Sequence, residues 1–345
     1  MARASFSTRA AADHFLASYL AADGRVVRHD QGGDVVSEGQ AYAMVIAEIA
    51  GKPATVRAIW SWTKAHLARA DGLLAFHAAG DGTVISHEPA TDADVLAAYA
   101  LLRYDGLHDR AMHADGRRLA AAVLAEESVP LPSGDRVVVA GRWAAATSPA
   151  TVNPSYWMPG VFTALAGYTD DERWASIAST SEALLLELSD GGRSLPPDWV
   201  SLTDDGTMTP RPAPDGSHGV QYGLDAQRLP LWLGTGCSEP GRALAASWWH
   251  RHLSGDGRST ALALSLTGEV IDGRSNPLPL LAGAAAAAAA GDLTASRRLR
   301  SDAVAQSRET PTYYGDAWLA LGGALLDGAL CPGQESRGRY RTSFT

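Results

Sequence analysis

Apolar residues recur three and four positions apart through most of this 345-residue chain, and a period of that kind leaves few folds open. It predicts helices over residues 15–20, 42–49, 56–67, 95–102 and 119–124 in the first half. In the second half it predicts 157–166, 172–188, 226–233, 242–252, 278–290, 294–305 and 317–326. Alternating runs are scarce, and 136–140 is the best strand. Gly and Pro clusters at 30–33, 194–197 and 210–216 read as loops, and none has the composition of an interdomain linker. About a dozen amphipathic helices without a close repeat fit an all-α toroid with minor short β segments. The expectation is one domain over 1–345, with residues 1–6 and 333–345 flexible.

Composition removes several function classes. A hydrophobic share of 46% supports a substantial core. With 29 Lys and Arg against 38 Asp and Glu, the net charge of -9 repels a phosphate backbone and leaves a neutral sugar polymer unaffected. No apolar run reaches the length of a membrane span; the nearest, 277–290, is short and mostly Ala. Residues 1–12 show no apolar leader, so the expectation is either a cytoplasmic protein or one whose targeting segment is absent from this sequence. Cys237 and Cys331 specify neither a disulfide framework nor a zinc site, and read first as small buried apolar groups and second as a single disulfide.

Three acids stand where loops run into helices. Glu38 follows Ser37, which suits an N-cap, so the simplest role for Glu38 is to complement the helix dipole. Asp92 and Asp94 precede an apolar helix; they suit capping, and a metal site would need further ligands and a phosphate-binding loop that the sequence lacks. Asp225 has Arg228 three residues on, the spacing of an ion pair on one helical face, which in a cleft would keep the carboxylate ionised and oriented.

Taken in order, these segments resemble glycoside hydrolase family 8. The similar positions are Ser37, Glu38, Gly39, Tyr42 and Met44 in a Ser-Glu-Gly-x-x-Tyr-x-Met segment. Residues 90–94 match Ala-Ser/Thr-Asp-Ala/Gly-Asp, and Asp225, Ala226 and Arg228 match Tyr-Asp-Ala-x-Arg. Asn153-Pro154-Ser155-Tyr156, Pro197-Asp198-Trp199 and Tyr313-Tyr314 extend the likeness along nearly the whole chain. The resemblance implies an (α/α)6 barrel that cleaves a β-linked polysaccharide such as cellulose, chitosan or xylan, by inversion, without metal or organic cofactor. It implies Glu38 as general acid, Asp225 as general base and Asp92 as the carboxylate that positions the sugar ring. Asp94, Tyr42, Tyr156, Arg228, Tyr313 and Tyr314 would support substrate or the catalytic pair. A monomer is expected, secreted or held in the cell envelope, because such polymers lie outside the cytoplasm.

Three departures bear on substrate. Leu224 stands where the family has Tyr, Ala150 where it has Trp, and Leu74-Ala75-Phe76-His77 where it is Trp-rich. Losing aromatic platforms weakens the grip on a plain glucan and favours a decorated or charged polymer. Two rival functions follow: a polysaccharide lyase using a Tyr such as Tyr222 as base, or a glycan-binding protein without catalysis. Trp60, Trp62, Trp248 and Trp249 read as core, and His250 and His252 point to different helical faces, which argues against zinc.

Overall fold

The computed structural model describes residues 7–104, 109–255 and 257–329. The ends expected to be flexible, 1–6 and 333–345, lie outside them, as does Cys331. Thirteen α-helices occur among the described residues. In chain order they are α1 (Thr8–Tyr19), α2 (Ser37–Ile49), α3 (Pro53–His66), α4 (Thr91–Arg103), α5 (Arg110–Glu126), α6 (Arg142–Ala145), α7 (Pro159–Thr169), α8 (Arg173–Leu188), α9 (Leu229–Gly234), α10 (Glu239–Trp248), α11 (Pro277–Ala289), α12 (Leu293–Glu309) and α13 (Tyr313–Leu326). Six of them form a closed inner ring, because α2 packs on α4, α4 on α7, α7 on α9, α9 on α11, α11 on α13, and α13 back on α2. The other long helices, α1, α3, α5, α8, α10 and α12, lie outside this ring. The chain is therefore an (α/α)6 barrel.

The two rings differ in composition as their positions require. Two inner helices bury nearly every side, α4 from Thr91 to Leu102 and α11 from Pro277 to Ala287, whereas the inner α7 buries only Pro159, Val161, Phe162 and Leu165. Small residues such as Ala and Gly fill α11, which lets its neighbours approach closely. Outer helices bury one stripe, as α12 does with Ser296, Leu299, Ala303 and Ser307. Trp60, Trp62, Trp248 and Trp249 are core residues.

Ten short strands make four small antiparallel sheets among the loops. In chain order they are β1 (Val35–Val36), β2 (His77–Ala78), β3 (Val84–Ser86), β4 (Ser128–Pro130), β5 (Arg136–Val138), β6 (Ala150–Val152), β7 (Trp199–Leu202), β8 (Met208–Arg211), β9 (Ala261–Leu264) and β10 (Val270–Ser275). β5 falls in the run that alternates best; most of the others have two to four residues, and the six of β10 are exposed or half-buried on both faces, so they show no apolar alternation. β7 pairs with both β6 and β8, and the β9–β10 hairpin stands beside the open end of the barrel.

Three local expectations need correction. Ser37 is the first residue of α2 and caps nothing; Val36 is the N-cap, and the Ser37 N–H donates to Phe76 O at 2.8 Å. The helix predicted over 226–233 is a 3₁₀ turn, Ala226–Arg228, followed by α9, because Pro230 suits only a first helical turn. Cys237 is exposed and disulfide-bonded instead of being a buried thiol.

Candidate active site

The inner helices all point their N-termini at one end of the ring, and the residues singled out by the sequence gather there. α2 brings Glu38, α4 brings Asp92 and α13 opens with Tyr313 and Tyr314. Asn153, Ser155 and Tyr156 lie just ahead of α7, and Asp225 and Arg228 just ahead of α9. A groove of about 780 Å³ opens at this end, and Glu38, Tyr42, Asp225, Tyr313 and Tyr314 line it.

Arg228 ties the floor together. Its guanidinium, 2% exposed, donates from Nη1 to Asp92 Oδ2 at 2.8 Å and Tyr42 Oη at 3.0 Å. From Nη2 it donates to Asp225 Oδ1 at 2.8 Å and Ser155 Oγ at 2.6 Å. Glu38 Oε1 stands 3.5 Å from Nη1. Tyr156 lays its ring 5.3 Å from the same guanidinium, a cation–π contact that also fixes the plane. Since Glu38 and Asp225 each stand at one edge of one planar group, their nearest carboxyl oxygens lie within roughly 9 Å of each other, an upper limit that includes both the closer spacing of a retaining pair and the wider spacing of an inverting one.

The carboxyls differ in setting. Asp92 is buried, accepts the Ala93 N–H at 2.9 Å and shares a hydrogen bond with Glu38. Glu38 keeps 23% exposure toward the groove and has the longest arginine contact. Burial first, then the Asp92 charge, pushes the Glu38 carboxyl up to about 8, so it holds its proton at neutral pH. Asp225, 29% exposed, is also raised: burial outweighs the pull of Arg228, the Glu38 charge adds to the rise, and the Asn153 amide and His218 oppose it more weakly. Arg228 alone does not make Asp225 a strong acid, contrary to the simple expectation from its spacing.

Other assigned residues fall into two groups. Tyr42 donates to Glu38 Oε1 at 3.4 Å, and Tyr314 Oη donates to Leu224 O at 3.3 Å. The Tyr313 hydroxyl is buried without a protein partner among the described residues, and a Cβ at Gly39 would run into it, which explains the glycine after Glu38. Asp94 does not reach the groove: it is fully buried and accepts the Leu74 N–H at 2.9 Å, so it shapes the loop behind Asp92. Sequence reasoning gave no role to Arg28, Asp198 or His218. Arg28 and His218 stand on the groove wall with Glu38 and Asp225, and no periodicity marks such loop residues.

The aromatic departures separate in the same way. Leu224 lines the groove, whereas Ala150 is buried in β6 and faces no substrate. Among the described residues no tryptophan lines the groove. No group of His, Cys, Asp or Glu there is arranged to hold a metal.

Three carboxyls thus converge on one arginine at the floor of an open groove in an (α/α)6 barrel. The model of glycosyl hydrolases family 8 matches residues 1–328, and the chain belongs to that family. It is 28% identical over 240 residues to an endoglucanase of Cellulomonas uda, covering 68% of this chain and 65% of the relative. It is 30% identical over 226 residues to a probable endoglucanase of Novacetimonas hansenii, covering 64% of each. The chain thus spans a little under two thirds of the length of these relatives. In fold it is similar to a β-1,3-1,4-glucanase from Paenibacillus sp. X4, with a TM-score of 0.81 at 19% identity over 93% of this chain and 91% of that one.

Proposed function

We propose that this chain is an endo-acting, inverting glycoside hydrolase of the cellulase-like kind, cutting a β-1,4-linked polysaccharide. Glu38 protonates the glycosidic oxygen, Asp225 takes a proton from the attacking water, and Asp92, buried beneath the groove lining, acts on the ring through Arg228 and Glu38, which it holds in place. The observation that carries this reading is the sharing of one buried guanidinium by all three carboxyls, with the proton held on the most weakly paired, Glu38. Inversion needs one protonated and one ionised carboxyl on opposite faces of the sugar, and the bound on their separation is compatible with it. The endoglucanase names of the relatives support a β-glucan as substrate.

A second substrate has its own support. Asp30, Glu38, Asp198, Asp225 and Asp272 line the groove against Arg28, Arg274 and one histidine, His218. That acid surplus disfavours an anionic polymer and suits a neutral or amino-sugar chain such as chitosan. A lyase base at Tyr222 is disfavoured, because that side chain is buried at 1% exposure and does not line the groove. A role in binding alone leaves unexplained why two groove-lining carboxyls, Glu38 and Asp225, stand on opposite edges of one buried guanidinium. The protein acts outside the cytoplasm as a monomer: the disulfide at Cys237 suits an oxidising compartment, and one chain supplies every residue of the site.

The test is Glu38→Gln assayed by reducing-end release on cellulose, mixed-linkage glucan, chitosan and xylan. Loss of the general acid lowers kcat by about 10²–10⁴-fold on whichever polymer the wild type cuts, with the fold intact. Turnover at the wild-type rate overturns the assignment.

A further inference from the structure

Asp198 reaches the groove wall with its oxygens already occupied. Oδ1 accepts the backbone N–H of Gly223 at 2.9 Å and of Ala226 at 2.8 Å, while Oδ2 accepts Gln221 Nε2 at 3.1 Å. The Asp198 N–H in turn donates to Gln221 O at 2.9 Å. The Gly223 and Ala226 donors bracket Asp225, two residues before it and one after. A Cβ on Gly223 would run into Asp198 Oδ2 and Gln221 Nε2, so the turn closes around the carboxylate only with glycine there. At 2% exposure and with its lone pairs taken up by N–H donors, Asp198 has no room to activate a water itself.

We propose that Asp198 is a positioning residue for the catalytic base: it clamps the 223–226 turn so that Asp225 keeps Oδ1 on Arg228 while facing the attacking water. This rests on Asp225 being the base. The two carboxyls also face each other as like charges. Burial and then the Asp225 charge lift Asp198 to about 6. Around the pair stand His218, 3.7 Å from Asp198 Oδ2, with Arg228, Glu38 and Asn153 on the Asp225 side. Each carboxylate discourages ionisation of the other, so the acid limb of the pH–rate profile belongs to the pair.

Three variants of the whole chain, assayed on mixed-linkage β-glucan with folding checked by circular dichroism, decide it. Asp198→Asn keeps one acceptor oxygen and removes the charge. Its kcat falls by about 10–100-fold with KM nearly unchanged, and the acid limb of kcat/KM moves to lower pH because a like charge is gone. Gly223→Ala displaces the clamp but keeps both charges, so kcat falls while the limb stays; it tests positioning on its own if Asp198→Asn does not fold. Asp225→Ala loses more activity than either and regains turnover with azide, which attacks without a base. If Asp225→Ala is rescued by azide while folded Asp198→Asn and Gly223→Ala turn over at the wild-type rate, the clamp is overturned and the base stands. If Asp225→Ala itself turns over at the wild-type rate, the base assignment fails, and the clamp with it.

Discussion

The two ends of the barrel hold the same kinds of group in opposite circumstances. At the N-terminal end of the inner helices, Arg228 meets Glu38, Asp92 and Asp225 below a groove of about 780 Å³. At the C-terminal end, Arg103 stands 3.6 Å from Glu48 beside a cavity of about 30 Å³ walled by Val45, Leu96, Trp232 and Leu325. Both Glu38 and Glu48 are pushed up to about 8, and burial is the largest cause for each. The difference lies in what surrounds them. Glu38 has two further carboxyls and access to a polymer. Glu48 has neither: its oxygens accept no hydrogen bond from the described residues, and Arg103 turns Nη1 to Tyr99 Oη at 2.7 Å and Ala329 O at 3.2 Å while its Nε stays 3.6 Å from Glu48. A raised carboxyl becomes a candidate acid only where a substrate and a partner base can reach it.

Substitutions at the two ends should separate them, and the largest effect is expected at the open one. Arg228→Lys keeps a charge but cannot hold two edges of a planar fork, so Asp92 and Asp225 lose their shared anchor. Activity falls by about 10²-fold, read as kcat on mixed-linkage glucan. The matching change at the other end, Glu48→Gln, leaves kcat unaltered. Its effect is on stability. The Glu48 carboxyl is raised on folding, so its ionisation favours the unfolded chain as pH climbs from the unfolded value near 4.5 through about 8. Wild-type Tm therefore declines across that window, and Glu48→Gln shows a shallower decline and a higher Tm at pH 9. Thermal melts from pH 5 to pH 9 measure this; equal slopes for the two proteins would contradict it.

Much of the open end was legible because its chemistry sits at helix starts, where a run of small and polar residues precedes an apolar period. Glu38, Asp92 and the Asp225–Arg228 pair are of this kind. The sequence was less informative where a side chain serves the backbone across the fold. Asp198 reads as a loop acid, yet it holds the turn around Asp225; Asp94 reads as substrate-binding, yet it holds Leu74. A helix start read from apolar period alone came out late, as at α1, because Thr8 to His14 lack large apolar residues. The Glu48–Arg103 contact joins residues 55 positions apart at the far ends of α2 and α4, so no local spacing announces it.

The central claim is that the groups gathered on Arg228 perform a single displacement, with water entering opposite the departing sugar. The most direct measurement is proton NMR of freshly released ends on a β-linked glucan, taken before mutarotation. The account predicts that the α-anomer appears first. Early β-anomer would contradict it, since that outcome requires a covalent glycosyl–enzyme and two displacements.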